Sequence, residues 1–136
     1  MENKKIRVST GVKIEVNDNG DVIIARLDDN QFIGKFYDIV DTMEKISNYM
    51  NSEEMKEKDA REQLEVINEK TKEIMAEIDG LFGPYSCKKV FGDIIPSGYA
   101  LADFFDQLIP IFEDFADERQ KSISAKYNRS RKGQRK

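Results

Sequence analysis

The chain has 136 residues, of which 35% are charged and 39% hydrophobic, and its formal net charge is −4. This length suits one domain with a lean apolar core. No stretch reaches the roughly 18 apolar residues of a membrane span, no apolar run follows the first residues, and the single cysteine cannot form an internal disulfide. We therefore expect a cytoplasmic protein that has neither a secretory signal nor a membrane segment.

The N-terminal part is predicted to form short strands over residues 5–8, 12–16 and 22–27. Apolar residues alternate with polar ones in the first two segments, and Val22, Ile23 and Ile24 begin a β-branched run. The residues between the last two segments favour a tight turn, because asparagine and glycine tolerate positive φ. This pattern predicts a β-hairpin centred near Asn19-Gly20.

The first helix is predicted to begin near Asp29-Asn30, either of which could cap it. Its apolar stripe includes Phe32, Phe36 and Ile39, and the pattern breaks at Asn51-Ser52. A second helix of about 30 residues is predicted over 53–82, with Ser52 as its cap. At 1.5 Å per residue it would be roughly 45 Å long.

The second helix carries an apolar seam, which we define as seven positions separated alternately by four and three residues. The members of the seam are Ala60, Leu64, Ile67, Thr71, Ile74, Ile78 and Leu81. Charged residues fill the positions between them. This spacing predicts a helix that packs along its whole length against another helix. Because the first helix is too short to cover all seven positions, we also expect a homo-oligomer.

A connector over residues 83–96 is predicted to be packed, with Val90, Phe91, Ile94 and Ile95 buried. The third helix is predicted from its cap at Ser97 to about Tyr127, with a kink at Pro110 because proline cannot donate to the carbonyl four residues earlier. We define its aromatic stripe as the apolar residues Leu101, Phe104, Phe105, Leu108, Ile109, Phe112 and Phe115.

The predicted fold is therefore mainly α with a small N-terminal β-hairpin, an α+β arrangement of three helices in which the second is long and the third is kinked by proline. Residues 1–127 are predicted to form a single α-rich domain. Residues 128–136 are predicted to be a basic disordered tail.

Charge is distributed very unevenly. Residues 119–136 contain eight basic and no acidic residues, so residues 1–118 hold the other 14 basic residues against all 26 acidic ones, a net charge of −12. The basic end either complements the C-terminal dipole of the last helix or binds a polyanion or an acidic protein surface. The residues that would bind a polyanion are Arg129, Arg131, Lys132, Arg135 and Lys136.

The sequence gives little sign of catalytic chemistry. It contains no histidine, the usual proton shuttle and the commonest metal ligand. Cys87 therefore has no imidazole partner, although Lys88 and Lys89 could lower its pKa somewhat. The glycines lack the spacing of a phosphate-binding loop, and the many carboxylates read as solvated helix faces. We expect no catalytic residue, no metal site and no cofactor, and therefore a protein that is not an enzyme.

Several segments resemble small proteins of tailed bacteriophages. They are Val90-Phe91-Gly92-Asp93-Ile94-Ile95-Pro96-Ser97, the segment Leu101–Pro110 with the basic end after it, and the hairpin that leads into Phe36-Tyr37-Asp38-Ile39-Val40. Over residues 5–127 the chain resembles the tail assembly chaperones of long-tailed phages of Gram-positive hosts. The resemblance implies a mostly helical protein that coats the tape-measure protein and helps to recruit tail-tube subunits.

We therefore predict noncatalytic helix-mediated binding of a client, such as the tape-measure or tail-tube protein, during assembly of a phage or prophage tail. The client would contact apolar residues of the seam and of the aromatic stripe. These residues are Leu64, Ile67, Ile74, Ile78, Phe104, Phe105, Leu108, Phe112 and Phe115. For any one of them the alternative is ordinary core packing. The alternative functions are a head–tail joining component of the virion and a small nucleic-acid-associated regulator that uses the basic tail.

Overall fold

The structure, a computed structural model, describes residues 2–134, and the side chains of residues 2–126. The chain forms two compact units, Met1–Pro96 and Ser97–Lys136. The elements in chain order are β1 (Val12–Glu15), β2 (Val22–Ala25), α1 (Asn30–Met50), α2 (Glu53–Lys56), α3 (Ala60–Phe82), α4 (Ser86–Phe91) and α5 (Gly98–Gln134).

The predicted hairpin is confirmed. β1 and β2 pair antiparallel with Val12 opposite Ala25. The turn forms because the side chain of Asn17 accepts hydrogen bonds from the backbone N–H groups of Asn19 and Asp21, at 2.9 and 3.2 Å, and Gly20 takes a φ of 83°. Residues 5–8 are not a strand, since no segment among residues 2–134 pairs with them. Ile23 and Ala25 are buried and form the start of the core.

The two long helices of the first unit, α1 and α3, form a pair. The predicted cap of α1 is confirmed, since the Asp29 side chain accepts from the N–H of Gln31 at 2.9 Å. The rings of Phe32 and Phe82 meet edge to face with centroids 5.4 Å apart. Because Phe32 lies at the start of α1 and Phe82 at the end of α3, the two helices run antiparallel.

The predicted helix over 53–82 is wrong in one respect, because it is interrupted between α2 and α3. The Asp59 side chain accepts from the N–H of Glu62 at 2.8 Å and so starts a new helix. The Gln63 amide donates to the carbonyls of Met55 and Lys58, both at 2.9 Å. These bonds satisfy the carbonyls left at the end of α2 and hold the chain in its bend.

The connector is more regular than predicted, since it contains α4. It is also less buried, because Ile94 and Ile95 remain 57% and 41% exposed. The predicted burial of these two side chains is therefore wrong. The positive φ of Gly92, 78°, ends α4 and turns the chain, which directs Ile94 and Ile95 into a segment without regular structure.

The second unit consists of α5. Its predicted cap is confirmed, because the N–H of Ala100 donates to the Ser97 hydroxyl at 3.2 Å. Pro110 lies inside the helix, as predicted. The helix extends to Gln134 and does not end at Tyr127, because residues 119–132 are mostly good helix formers with no proline or glycine. Arg135 and Lys136, at the end of the predicted tail, lie outside the described residues.

The α+β class is thus confirmed: a small N-terminal hairpin is followed by three long helices and two short ones. The single domain predicted over residues 1–127 stays a prediction.

Candidate interaction surface

The solvent exposure of the seam residues falls along α3. We call the accessible N-terminal part of the seam its open half. At its N-terminal end Leu64 is 57% exposed, and Ile67 is half-buried. At its C-terminal end Ile74 and Ile78 are only 1% and 0% exposed. One helical stripe therefore has a buried half and an accessible half.

The helix pair explains the buried half. Helices α1 and α3 pack against each other in the first unit. Within the seam, the hydroxyl of the buried Thr71 donates a hydrogen bond of 2.7 Å to the Ile67 carbonyl, so no polar group is left unsatisfied there. Ile74 and Ile78 are therefore core residues of the first unit. Their contact with a client stays a prediction, and of the four predicted seam residues only Leu64 and Ile67 offer accessible apolar surface.

The open half lies where the helix pair ends. The last turns of α1 carry Ile46, Tyr49 and Met50, all half-buried, and the buried Met55 of α2 fills the bend before α3. These residues leave Leu64 uncovered. A single exposed leucine is common on protein surfaces and lowers stability little. On a heptad stripe, however, it is a position at which another helix can pack and continue the seam.

In α5 the exposure of the aromatic stripe rises along the helix. Phe104, Phe105 and Leu108 are buried, whereas Phe112 and Phe115 are half-buried. The Phe104 and Phe105 rings pack edge to face with centroids 5.4 Å apart. The Arg119 guanidinium lies 4.9 Å from the centre of the Phe115 ring, a cation–π contact one helical turn away. That these five residues bind a client stays a prediction.

The predicted polyanion-binding residues cannot be placed in the same way. Arg129, Arg131 and Lys132 belong to α5, but their side chains lie outside the described residues. Arg135 and Lys136 lie outside them entirely. Their role stays a prediction.

The end of α3 and the start of α4 form a second candidate region. A cleft of about 370 Å³ is bordered by Met75, Asp79, Cys87 and Ile94, among others. Tyr85 borders it too, and holds a φ of 66°, which is unusual for a bulky residue. At its rim Lys88 and Asp93 form an ion pair of 3.6 Å, with both side chains exposed.

The cysteine in this region is poorly suited to nucleophilic chemistry. Burial, followed by the nearby Asp79 carboxylate, raises the pKa of the Cys87 thiol from 9.0 to about 12. Its sulfur lies 3.4 Å from the Met75 carbonyl oxygen. The expectation that Lys88 and Lys89 could lower this pKa is therefore wrong, because the effects of burial and of Asp79 exceed theirs.

The described residues contain neither a cluster of metal-ligating side chains nor a helix that could span a membrane. Among residues 2–134, no three His, Cys, Asp or Glu side chains are grouped so that they could hold a metal ion. In the same part of the chain, no helix combines the length and apolar character that crossing a bilayer requires.

Sequence reasoning missed the residues that fix α4 in place. Lys89 donates from its ammonium group to the Val22 carbonyl at 3.3 Å, and its own carbonyl accepts from the Asn17 amide at 3.0 Å. Asn17 is 72 positions from Lys89. Its sequence signal indicates only a local turn, so no pattern along the chain could have predicted this contact.

Comparison with known families gives a match over most of the chain. A family model matches residues 25–136, that is 112 of the 136 residues, and its description is "Family of unknown function (DUF6673)". The matched region begins at the last residue of β2 and includes every helix. Among curated proteins and among solved structures, no significant match was found. The chain belongs to the DUF6673 family of unknown function.

Proposed function

We propose that the protein is a noncatalytic binding protein that accepts a client helix along the open half of the seam, and that it acts in assembly of a phage or prophage tail. The observation that carries the binding proposal is the contrast in exposure between Leu64, 57%, and Ile78, which is fully buried on the same stripe. A client helix that continued the seam would cover Leu64 and Ile67 and leave the existing core intact.

The client and the biological setting come from the resemblance to tail assembly chaperones. A tape-measure protein is long and helical, so it offers apolar stripes of the spacing that α3 carries. The net charge of residues 1–118, −12, would keep such a binding protein soluble while its apolar residues are exposed before the client binds. The sequence without histidine and the protonated Cys87 thiol favour binding over catalysis.

Binding is tested by co-expressing the full chain with the tape-measure protein of the phage or prophage that encodes it, and by measuring the dissociation constant of the purified complex. Leu64→Glu should weaken binding by about ten-fold or more, since it puts a charge in the centre of the contact. Ala76→Glu is the matched control, because it adds the same charge at an exposed position of α3. Equal weakening by both variants, or no complex with the unmodified chain, would contradict the proposal.

The place of the protein in assembly needs a separate measurement. A chaperone leaves once the tail tube has formed, whereas a joining component remains. Mass spectrometry of purified mature particles should therefore find the tape-measure protein but not this chain. A stoichiometric amount of the chain in particles would favour the virion component instead.

A further inference from the structure

Residues 2–9 form an arm that has the sequence pattern of a strand but pairs with no other strand in the described part of the chain. Ile6 and Val8 are 91% and 76% exposed and alternate with the charged Lys5 and Arg7. Residues 2–9 have no backbone hydrogen bond in the described part of the chain, where the arm makes only a long bond from the Ser9 hydroxyl to the Gly11 carbonyl at 3.4 Å. Such alternation is stabilised only when a strand pairs on a sheet with one buried face.

The arm continues the pattern of β1. Ile6, Val8, Val12, Ile14 and Val16 occupy even positions and thus share one face of an extended chain. On this same face of the hairpin lie the buried Ile23 and Ala25, opposite Ile14 and Val12. The odd positions hold the polar residues and Gly11. Residues 5–16 therefore read as one long amphipathic strand, of which only 12–15 are paired.

The outer edge of β1 is available for pairing. The hydrogen bond from the Val16 N–H to the Asp21 carbonyl, 3.0 Å, fixes which residues face β2, so the backbone groups of Lys13 and Glu15 point away from it. No partner for these outward groups is found among the described residues, and both side chains are exposed. The opposite edge differs, because Lys89 already donates to the outward carbonyl of Val22.

The arm is poorly placed to fold back on its own β1. The Thr10 carbonyl accepts from the Asp28 N–H at 3.3 Å, which holds the chain in the direction of β1 up to residue 10. A return would need a two-residue turn at Val8-Ser9, and such turns require positive φ, which β-branched valine resists. These features favour a partner strand from another molecule.

We propose that two copies of this chain pair through β1 and the arm, antiparallel and edge to edge, about a two-fold axis at Gly11. In this register Arg7 of each copy lies opposite Glu15 of the other, and Val8 lies opposite Ile14. Both copies make the same contacts, as a closed two-fold dimer requires. The alternative register about Thr10 places Arg7 opposite Lys13, two like charges, and is therefore disfavoured.

The pairing would stabilise the hairpin of the first unit. A two-stranded hairpin is marginal alone, whereas this dimer has a four-stranded sheet in the order β2, β1, β1, β2. Ile6 and Val8 would extend the apolar face beside the half-buried Val16 and Ile14 of the other copy. The arm and hairpin are distinct from the open half of the seam, so this inference does not depend on the proposed function.

The register is tested by a disulfide between copies. Opposed residues in a non-hydrogen-bonded antiparallel pair come close enough for a disulfide, and Val8 and Ile14 form such a pair here. Under mild oxidation the Val8→Cys/Ile14→Cys variant of the full chain should give a covalent dimer on a non-reducing gel. Val8→Cys/Lys13→Cys is the matched control, because its two thiols lie on opposite faces. A disulfide within one chain, or equal dimer yields from both variants, would overturn the proposal.

The dimer itself is tested by light scattering after size-exclusion chromatography at high micromolar concentration, where the unmodified chain should have twice the chain mass. Arg7→Pro removes an N–H that points at the other copy and should raise the dimer dissociation constant by about ten-fold or more. Asn3→Pro, outside the paired region, should leave it unchanged. A monomeric unmodified chain, or a dimer indifferent to Arg7→Pro, would overturn the proposal.

Discussion

The Asp79 carboxylate accepts a hydrogen bond of 2.8 Å from the backbone N–H of Cys87 and so caps a helix to which it does not belong. Tyr85, at the N-cap position of α4, offers no side-chain cap of its own. The carboxylate comes from the last turn of α3 and bonds to the second residue of α4, where a capping side chain normally bonds. This contact connects the start of α4 to the last turn of α3.

Removal of this cap should destabilise the first unit. Asp79→Ala should lower the free energy of unfolding by about 1–2 kcal/mol, because it leaves the Cys87 N–H without its acceptor. Glu77→Ala, at an exposed position two residues earlier, should change it by less than about 0.5 kcal/mol. Urea denaturation followed by circular dichroism measures both. Equal effects would show that the cap contributes nothing measurable.

The Cys87 thiol should be unreactive while the protein is folded. With its pKa at about 12 instead of 9.0, the thiolate fraction at pH 8 is lower by about three orders of magnitude than in the unfolded chain. Alkylation by iodoacetamide should therefore be very slow in buffer and fast in urea. Fast alkylation of the folded chain would contradict both the burial and the raised pKa.

The same pKa predicts a loss of stability in alkali. The pKa of Cys87 is higher in the folded chain than in the unfolded one. The contribution of the Cys87 thiol to the unfolding free energy is therefore fully present below pH 9 and is lost as the pH rises towards 12. Between pH 9 and 12 the unfolding free energy of the unmodified chain should therefore fall, relative to that of Cys87→Ala, by about 1.4 kcal/mol per pH unit. Denaturation curves at several pH values test this, and a constant difference would contradict it.

The two halves of the seam should respond differently to truncation. Ile78→Ala removes a fully buried side chain and should cost about 2–5 kcal/mol of unfolding free energy, the transfer term plus the cavity. Leu64→Ala, with 57% of the side chain exposed, should cost less than about 1 kcal/mol. Denaturation midpoints measure the difference. Similar costs would mean that Leu64 is covered in solution, as it would be inside an oligomer built on the seam.

Two glycines should respond to alanine with opposite signs. A Cβ at Gly11 would lie 2.9 Å from an Ile24 methyl group and 3.3 Å from the Ala25 carbonyl oxygen, so Gly11→Ala should destabilise by about 1 kcal/mol or more. At Gly34, inside α1, a Cβ would meet nothing within 4 Å. Gly34→Ala should therefore stabilise by about 0.5–1 kcal/mol. Melting temperatures of the two variants against the unmodified chain are the measurement.

Local signals in the sequence were sufficient for the starts of α1 and α5 and for the hairpin. Asp29 and Ser97 cap α1 and α5 as predicted, because a cap needs only a short polar side chain and the amides that follow it. The break before α3 was missed although Asp59 and Glu62 have the spacing of a capping pair.

The accessible part of the candidate surface could not be predicted from the stripe. Leu64 and Ile78 occupy equivalent positions of one heptad pattern, yet one is open and the other is buried. The pattern reports which face of a helix is apolar. How far along the helix that face is covered depends on where α1 ends and how α2 bends, and these features follow from packing.

By itself the sequence determined the α+β class, the caps and turns, the uneven charge and the apolar stripes, because each depends on residues within a few positions of one another. Only the tertiary structure decided that Asp79 caps α4, that Lys89 closes one edge of the hairpin, that the Cys87 thiol keeps its proton and that half of the seam stays open. Those properties depend on desolvation and on contacts between residues far apart in the chain, which local patterns do not encode.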